Sequence, residues 1–232
     1  KKYVIPLQNL ITLAANTPCF LEELTVYLEP KTGKSLKVLA QPPDHSSDNE
    51  PVEQYSGRLL FRFQDIGDKK DECFKRWFSA SDEMAEFFNL YFSNQYYESV
   101  LENYFQNLVQ ALEAYHRKQG KCKALTKEEF RKRVSGMLNT APPEYRNWLR
   151  ERLRNNEPSL EERLLDLANK AGVNENPLAN YLRIFAKRIA STRHWLAHHV
   201  AYLKEQAAEG LEMITLVDLM KLFIQYLLFT EL

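Results

Sequence analysis

The chain has 232 residues, with 31 Lys+Arg against 31 Asp+Glu, and 44% apolar, 27% charged and 12% aromatic residues. That balance belongs to a globular protein with a sizeable core and excludes a wholly disordered or fibrous chain. No uninterrupted apolar run reaches the roughly 18 residues needed to cross a bilayer; the most apolar stretch, 216–228, is broken by Asp218, Lys221 and Gln225.

Taken in chain order, Leu7, Leu10, Ile11 and Ala14 fall at helical spacing and predict a short helix over 7–14. Leu24–Leu28, Ser35–Leu39 and Arg58–Phe63 read as strands, and the polar stretch Gln41–Gln54 as a loop. A short helix and three strands bury little. Residues 1–76 are therefore read as a β-rich segment, expected to be the end of a larger N-terminal domain, in keeping with a first residue of Lys1 rather than Met. A small sheet packed on the helical remainder of the chain is the alternative.

From residue 77 onward the signals turn helical. Ser81 before Asp82 and Glu83 predicts a helix start, and Phe87, Phe88, Tyr91 and Phe92 a core face. Val100, Leu101, Tyr104, Leu108, Ala111, Leu112 and Tyr115 recur at spacings of three and four, predicting a long helix over 97–118 closed by Gly120. Thr126 with Glu129, and Ser159 with Glu162, have the spacing of capping boxes. Pro142-Pro143 predicts a helix from Glu144, and Gly172 the end of the helix opened at Ser159. Asn176-Pro177 predicts a helix to about His199, and Thr215 a final helix over 216–229. The fold class is thus mainly α, a bundle of about six helices behind a small β-rich segment.

Zero net charge conceals a strong pattern. Residues 77–116 hold Asp82, Glu83, Glu86, Glu98, Glu102 and Glu113 and no Lys or Arg, whereas residues 117–154 hold 12 basic and 4 acidic residues, 12 − 4 = +8. Arg183, Lys187, Arg188 and Arg193 form a second basic cluster. A solvated helix face accounts for either run alone; two together point to an anionic partner. The cysteines Cys19, Cys73 and Cys122 contain no C-x-x-C pair, which fits neither a zinc site nor a disulfide framework and points to reduced thiols in a cytoplasmic protein.

The segment that carries chemistry is Thr192-Arg-His-Trp-Leu-Ala-His-His199, in which Arg193 precedes His198 by five positions near the end of a helix. On an ideal helix these two lie about 140° apart, so they converge only if the helix frays or bulges near Ala197, or if they flank a cleft between two molecules. A plain alternative is a pair of cations at a helix C-terminus, favourable to its dipole. With the long segment Phe105–Arg117 and the entry Trp77-Phe78, this stretch resembles HEPN domains of the ApeA type over residues 77–232. Those domains carry Arg, a polar residue, three to five others, then His, typically as Thr-Arg-Asn-Tyr-Leu-x-His-Tyr. Here His194 stands for the usual Asn and His199 for the usual Tyr.

The resemblance implies a HEPN-like bundle acting as a metal-independent, cofactor-free endoribonuclease. It would be an effector of prokaryotic antiviral defence or of a toxin-like response, acting on RNA as a homodimer with no membrane involvement. Its implied roles are His198 as acid/base, Arg193 as phosphate stabiliser and His194 as the residue that orients them. Glu113, His116, Arg117, Arg188 and His199 are candidates for holding substrate. Glu113 pairing with Arg193, and His116 beside the cleft, stand against a structural ion pair or hydrogen bond inside the bundle; His199 stands against a plain surface residue. Two other readings fit the same residues: a catalytically inert HEPN-like module binding RNA or a nucleotide, and a helical interaction scaffold.

Overall fold

The computed structural model describes residues 3–27, 35–39, 59–120, 123–199 and 201–232. Among them are nine α-helices, a two-stranded sheet and three short 3-10 turns, so the fold is mainly α. The expected loop Gln41–Gln54, together with Leu28, Arg58 and Cys122, lies outside the described residues. The chain divides into two compact units, residues 1–85 with 95–98 and 228–232, and residues 86–94 with 99–227.

The first unit opens with α1 (Val4–Ala15), longer at both ends than expected and closed by Asn16 in the left-handed region. Strands β1 (Glu23–Tyr27) and β2 (Ser35–Leu39) pair antiparallel, Glu23 opposite Leu39 and Tyr27 opposite Ser35. The third strand expected over Arg58–Phe63 does not form among the described residues. Leu59–Arg62 is irregular and Phe63–Ile66 a turn, because Leu60 N–H donates to Ala14 O at 2.9 Å and Arg62 is folded back onto Asp65. Among its described residues, the first unit thus holds a two-stranded ribbon and two helices.

Helix α2 (Lys70–Glu83) holds the expected helix start at Ser81 in its last turn. Asp71 and Glu72 already occupy its first turn, and Trp77 anchors it, buried, with the indole N–H donating to Pro6 O at 2.7 Å. Tyr96 hydroxyl bridges Asn9 Oδ1 and Thr12 Oγ1 at 2.8 and 2.9 Å, and burial pushes its pKa up to about 12.

Helix α3 (Ala85–Tyr96) leads into the second unit. Helix α4 (Leu101–Lys118) buries Phe105, Leu108, Val109, Leu112 and Tyr115 on one stripe. Both expected capping boxes form, Thr126 opening α5 (Lys127–Thr140) and Ser159 opening α7 (Leu160–Lys170). Pro143 opens a 3-10 turn that runs into α6 (Arg146–Arg152). Asn176 Oδ1 caps α8 (Pro177–His198) by accepting from Leu178 and Ala179 N–H. Helices α4, α7 and α8 pack together through Leu164, Leu167, Ala168, Leu182, Ala186 and Ile189, all buried.

The last helix, α9, spans Gly210–Thr230. Thr215 does not cap it: its hydroxyl donates to Leu211 O at 2.9 Å inside the helix. Among the described residues, seven α-helices, α3 to α9, therefore follow residue 80, rather than about six. The earlier start makes α9 long and apolar enough, by length and composition, to cross a membrane. Leu216, Met220, Phe223 and Ile224 are nonetheless buried within the protein, and Gln225 hydrogen-bonds buried Tyr91.

Candidate functional site

The C-terminal third of α8 is held by residues 205–212, which fold back onto it. Thr192, fully buried, donates its hydroxyl to Arg188 O at 2.8 Å, and the same oxygen accepts Ala208 N–H at 2.8 Å. Arg188 grips Glu212 with Nε at 2.6 Å and Nη2 at 2.5 Å, while Nη1 reaches Glu205 O at 3.2 Å. Each partner sets the other's titration: the fork on Glu212 raises the Arg188 pKa, and Arg188 lowers that of Glu212. Arg188, a candidate for holding substrate, thereby has its guanidinium committed to the fold.

On this pinned segment Arg193, His194, His198 and His199 follow one another. Helix α8 stays regular through His198, so the fraying or bulge that would swing Arg193 towards His198 is absent. His199 ends the helix in the left-handed region (φ 49°), its N–H donating to Trp195 O at 2.7 Å and its ring 5.4 Å from Trp195. A non-glycine residue there costs about 1 kcal/mol, a strain carried at the end of the motif. His194 and His198 sit one turn apart with ring centroids 4.8 Å from each other, both exposed. Arg193 is half-buried; among the described residues its side chain makes no hydrogen bond or ion pair, with Glu113 or any other. One uncommitted guanidinium and two adjacent, solvent-facing imidazoles, tilted 56° to each other, thus end the helix.

His116 and Arg117, candidates on α4, are engaged with other helices. His116 is 1% exposed, its Nε2 3.2 Å from Asp166 Oδ2 and its Nδ1 3.5 Å from Arg163 Nη1. A guanidinium only donates, so Nδ1 is the acceptor and Nε2–H donates to Asp166. Arg163, 3% exposed, also reaches Glu157 Oε2 at 2.8 Å and Pro158 O at 3.1 Å. Burial lowers the His116 pKa, Arg163 lowers it further, and Asp166 opposes both. Arg117 is exposed and reaches Glu86 Oε1 at 3.2 Å; Glu113 is half-buried. Sequence reasoning missed Arg163, Asp166 and Thr192, whose roles depend on helices distant in sequence. Among the described residues, no three His, Cys, Asp or Glu side chains form a metal-holding group.

A family model described as Apea-like HEPN matches residues 106–232. The chain belongs to the Apea-like HEPN family. A second model, ApeA N-terminal domain 1, matches residues 1–77. No curated protein and no solved structure matches the chain. The HEPN match runs from within α4 to the end of the chain, so it contains both the motif on α8 and the network around His116.

Proposed function

We propose that this HEPN chain is a metal-independent endoribonuclease whose active site forms where two copies bring their α8 ends together. The observation that carries the reading is the pairing of an uncommitted Arg193 with the exposed, adjacent His194 and His198 rings at the end of a helix held by Thr192 and Arg188. A regular α8 points Arg193 and His198 about 140° apart, so a single phosphate meets both kinds of group most readily between two chains.

In this reading an imidazole takes the proton of an RNA 2′-hydroxyl, whose oxygen attacks the adjacent phosphorus. The bond from phosphorus to the 5′-oxygen breaks, and a second imidazole protonates the leaving oxygen, giving a 2′,3′-cyclic phosphate and a 5′-hydroxyl. Arg193 neutralises charge gathering on the phosphoryl oxygens. His198 is the acid/base, and His194, against its ring, fixes its orientation in place of the asparagine usual in the family. The 2′-hydroxyl requirement restricts the substrate to RNA. Membership of a family associated with ribonucleases supports the same chemistry and a place in a defence or toxin-like response.

The test is RNA cleavage in EDTA. Wild-type protein is expected to cut, and Arg193→Ala and His198→Ala to lose cleavage while keeping their melting temperature. Wild-type rates in both variants would end the proposal.

A further inference from the structure

We infer that the α5–α6 hairpin is a binding arm for single-stranded RNA, in which Trp148 stacks an unpaired base and the surrounding Arg and Lys side chains take the phosphates. The inference rests on the ribonuclease reading for why RNA is the ligand, and its test separates the two.

The hairpin is a closed module. Asn156 ties its two ends: its side-chain amide donates to Leu125 O at 2.9 Å, its Oδ1 accepts Leu125 N–H at 3.1 Å, and its carbonyl accepts Ala124 N–H at 2.8 Å. Between those ties no residue of α5, of the 3-10 turn or of α6 is buried. Phe130, Val134, Leu138, Leu149 and Leu153 are half-buried where α5 and α6 meet, whereas the large apolar rings of Trp148 and Tyr145 stay outside that contact. Trp148 is 58% exposed and Tyr145 56%.

The charge around these rings selects the ligand. Residues 124–156 hold Lys127, Arg131, Lys132, Arg133, Arg146, Arg150, Arg152 and Arg154 against Glu128, Glu129, Glu144 and Glu151, 8 − 4 = +4. Two of those carboxylates are engaged locally, Glu129 by the Thr126 cap and Glu151 by Arg154 at 3.8 Å. The Arg152 guanidinium carbon lies over one face of the Trp148 ring, 6.0 Å from its centroid, so a cation already stands against this ring. Exposed rings among cations fit a polyanion that offers flat apolar faces, which is single-stranded nucleic acid; a paired duplex hides those faces.

Binding is measured by fluorescence anisotropy on the full chain carrying Arg193→Ala, which keeps the probe whole, in EDTA. The probe is a labelled oligouridylate of about 12 nucleotides, within the span such grooves hold. Adding Trp148→Ala is expected to weaken binding about tenfold, the loss of one stacked base. Adding Arg133→Glu with Arg150→Glu is expected to weaken it further and to flatten the slope of log affinity against log salt by about 1.4, two contacts at 0.7 each. A duplex RNA probe should not respond to Trp148→Ala. Unchanged oligouridylate affinity in all variants overturns the proposal, as does loss of self-association with RNA affinity intact, which would make the arm an interface between copies. Cleavage of the dinucleotide UpA, whose two nucleosides both flank the scissile phosphate and leave no further base for the arm, should be unchanged by Trp148→Ala alone. If no form of the protein cuts any RNA yet the arm variants still lose oligouridylate, the nuclease reading fails and the arm stands.

Discussion

Helices α7 and α8 and the hairpin α5–α6 both belong to the HEPN-matched part of the chain, and α5, α7 and α8 all open with a well-formed side-chain cap. They end in opposite circumstances. Helices α7 and α8 bury Leu164, Leu167, Leu182 and Ile189 and fasten their surroundings with Arg163, Arg188 and Thr192. The hairpin fully buries no residue of α5 or α6 and leaves Trp148, Tyr145 and Met137 in solvent. Capping and periodicity make a helix; they do not say whether its apolar residues serve a core or a ligand. The same residue types also divide by partner. Arg163 and Arg188 are absorbed by carboxylates and carbonyls, whereas Arg193, a few residues further on, is left uncommitted.

The sharpest way to break this contrast is at the end of α8. His198→Ala is expected to lower RNA cleavage by roughly 100- to 10,000-fold, the usual worth of a general acid or base, with thermal unfolding unchanged because the side chain is exposed. Next in size is the core: Leu164→Ala, at a fully buried position, is expected to cost about 2–5 kcal/mol in denaturant unfolding. The Arg188–Glu212 pair keeps side-chain exposures of 31% and 41%, so solvent screens it, and Arg188→Ala is expected to cost on the order of 1 kcal/mol.

The buried histidine yields a prediction with a definite sign. Burial and Arg163 hold the His116 pKa below its ordinary value, so the unfolded chain binds a proton more readily than the folded one. Stability from this group is complete above the unfolded imidazole value, about 6.5, and declines as pH falls below it. His116→Gln should remove that acid-side slope in stability measured from pH 7.5 down to 5 (about two units around the imidazole range). Smallest of all, Trp148→Ala should shift unfolding by less than about 0.5 kcal/mol, as surface changes do. A loss as large as that of Leu164→Ala would show that the hairpin shares the core.

Much of the second unit was legible. The long helix α4, both capping boxes, the Asn176-Pro177 start of α8 and the stops near Gly120 and Gly172 follow from local chemistry within three or four residues. The motif on α8 was visible as a spacing, because Arg193, His194 and His198 are neighbours in sequence. The failures share a cause. Ser81 and Thr215 are good caps in isolation, yet each sits inside a longer helix, because burial of Trp77 and Met213 continues α2 and α9 past the local signal. Arg58–Phe63 reads as a strand from its apolar residues, yet no third-strand ladder forms among the described residues; Leu60 instead bonds the end of α1.

The sequence by itself determined that the chain is mainly helical, where several helices start and stop, and which residues make up the Arg–His motif, since all of these depend on contacts within one or two turns. Only the tertiary structure decided that His116 is sealed against Arg163 and Asp166, that Arg188 belongs to Glu212, that Arg193 is half-buried, and that His194 and His198 are left to solvent. Those outcomes turn on which distant side chain arrives within hydrogen-bond reach, and spacing along one helix carries no information about that.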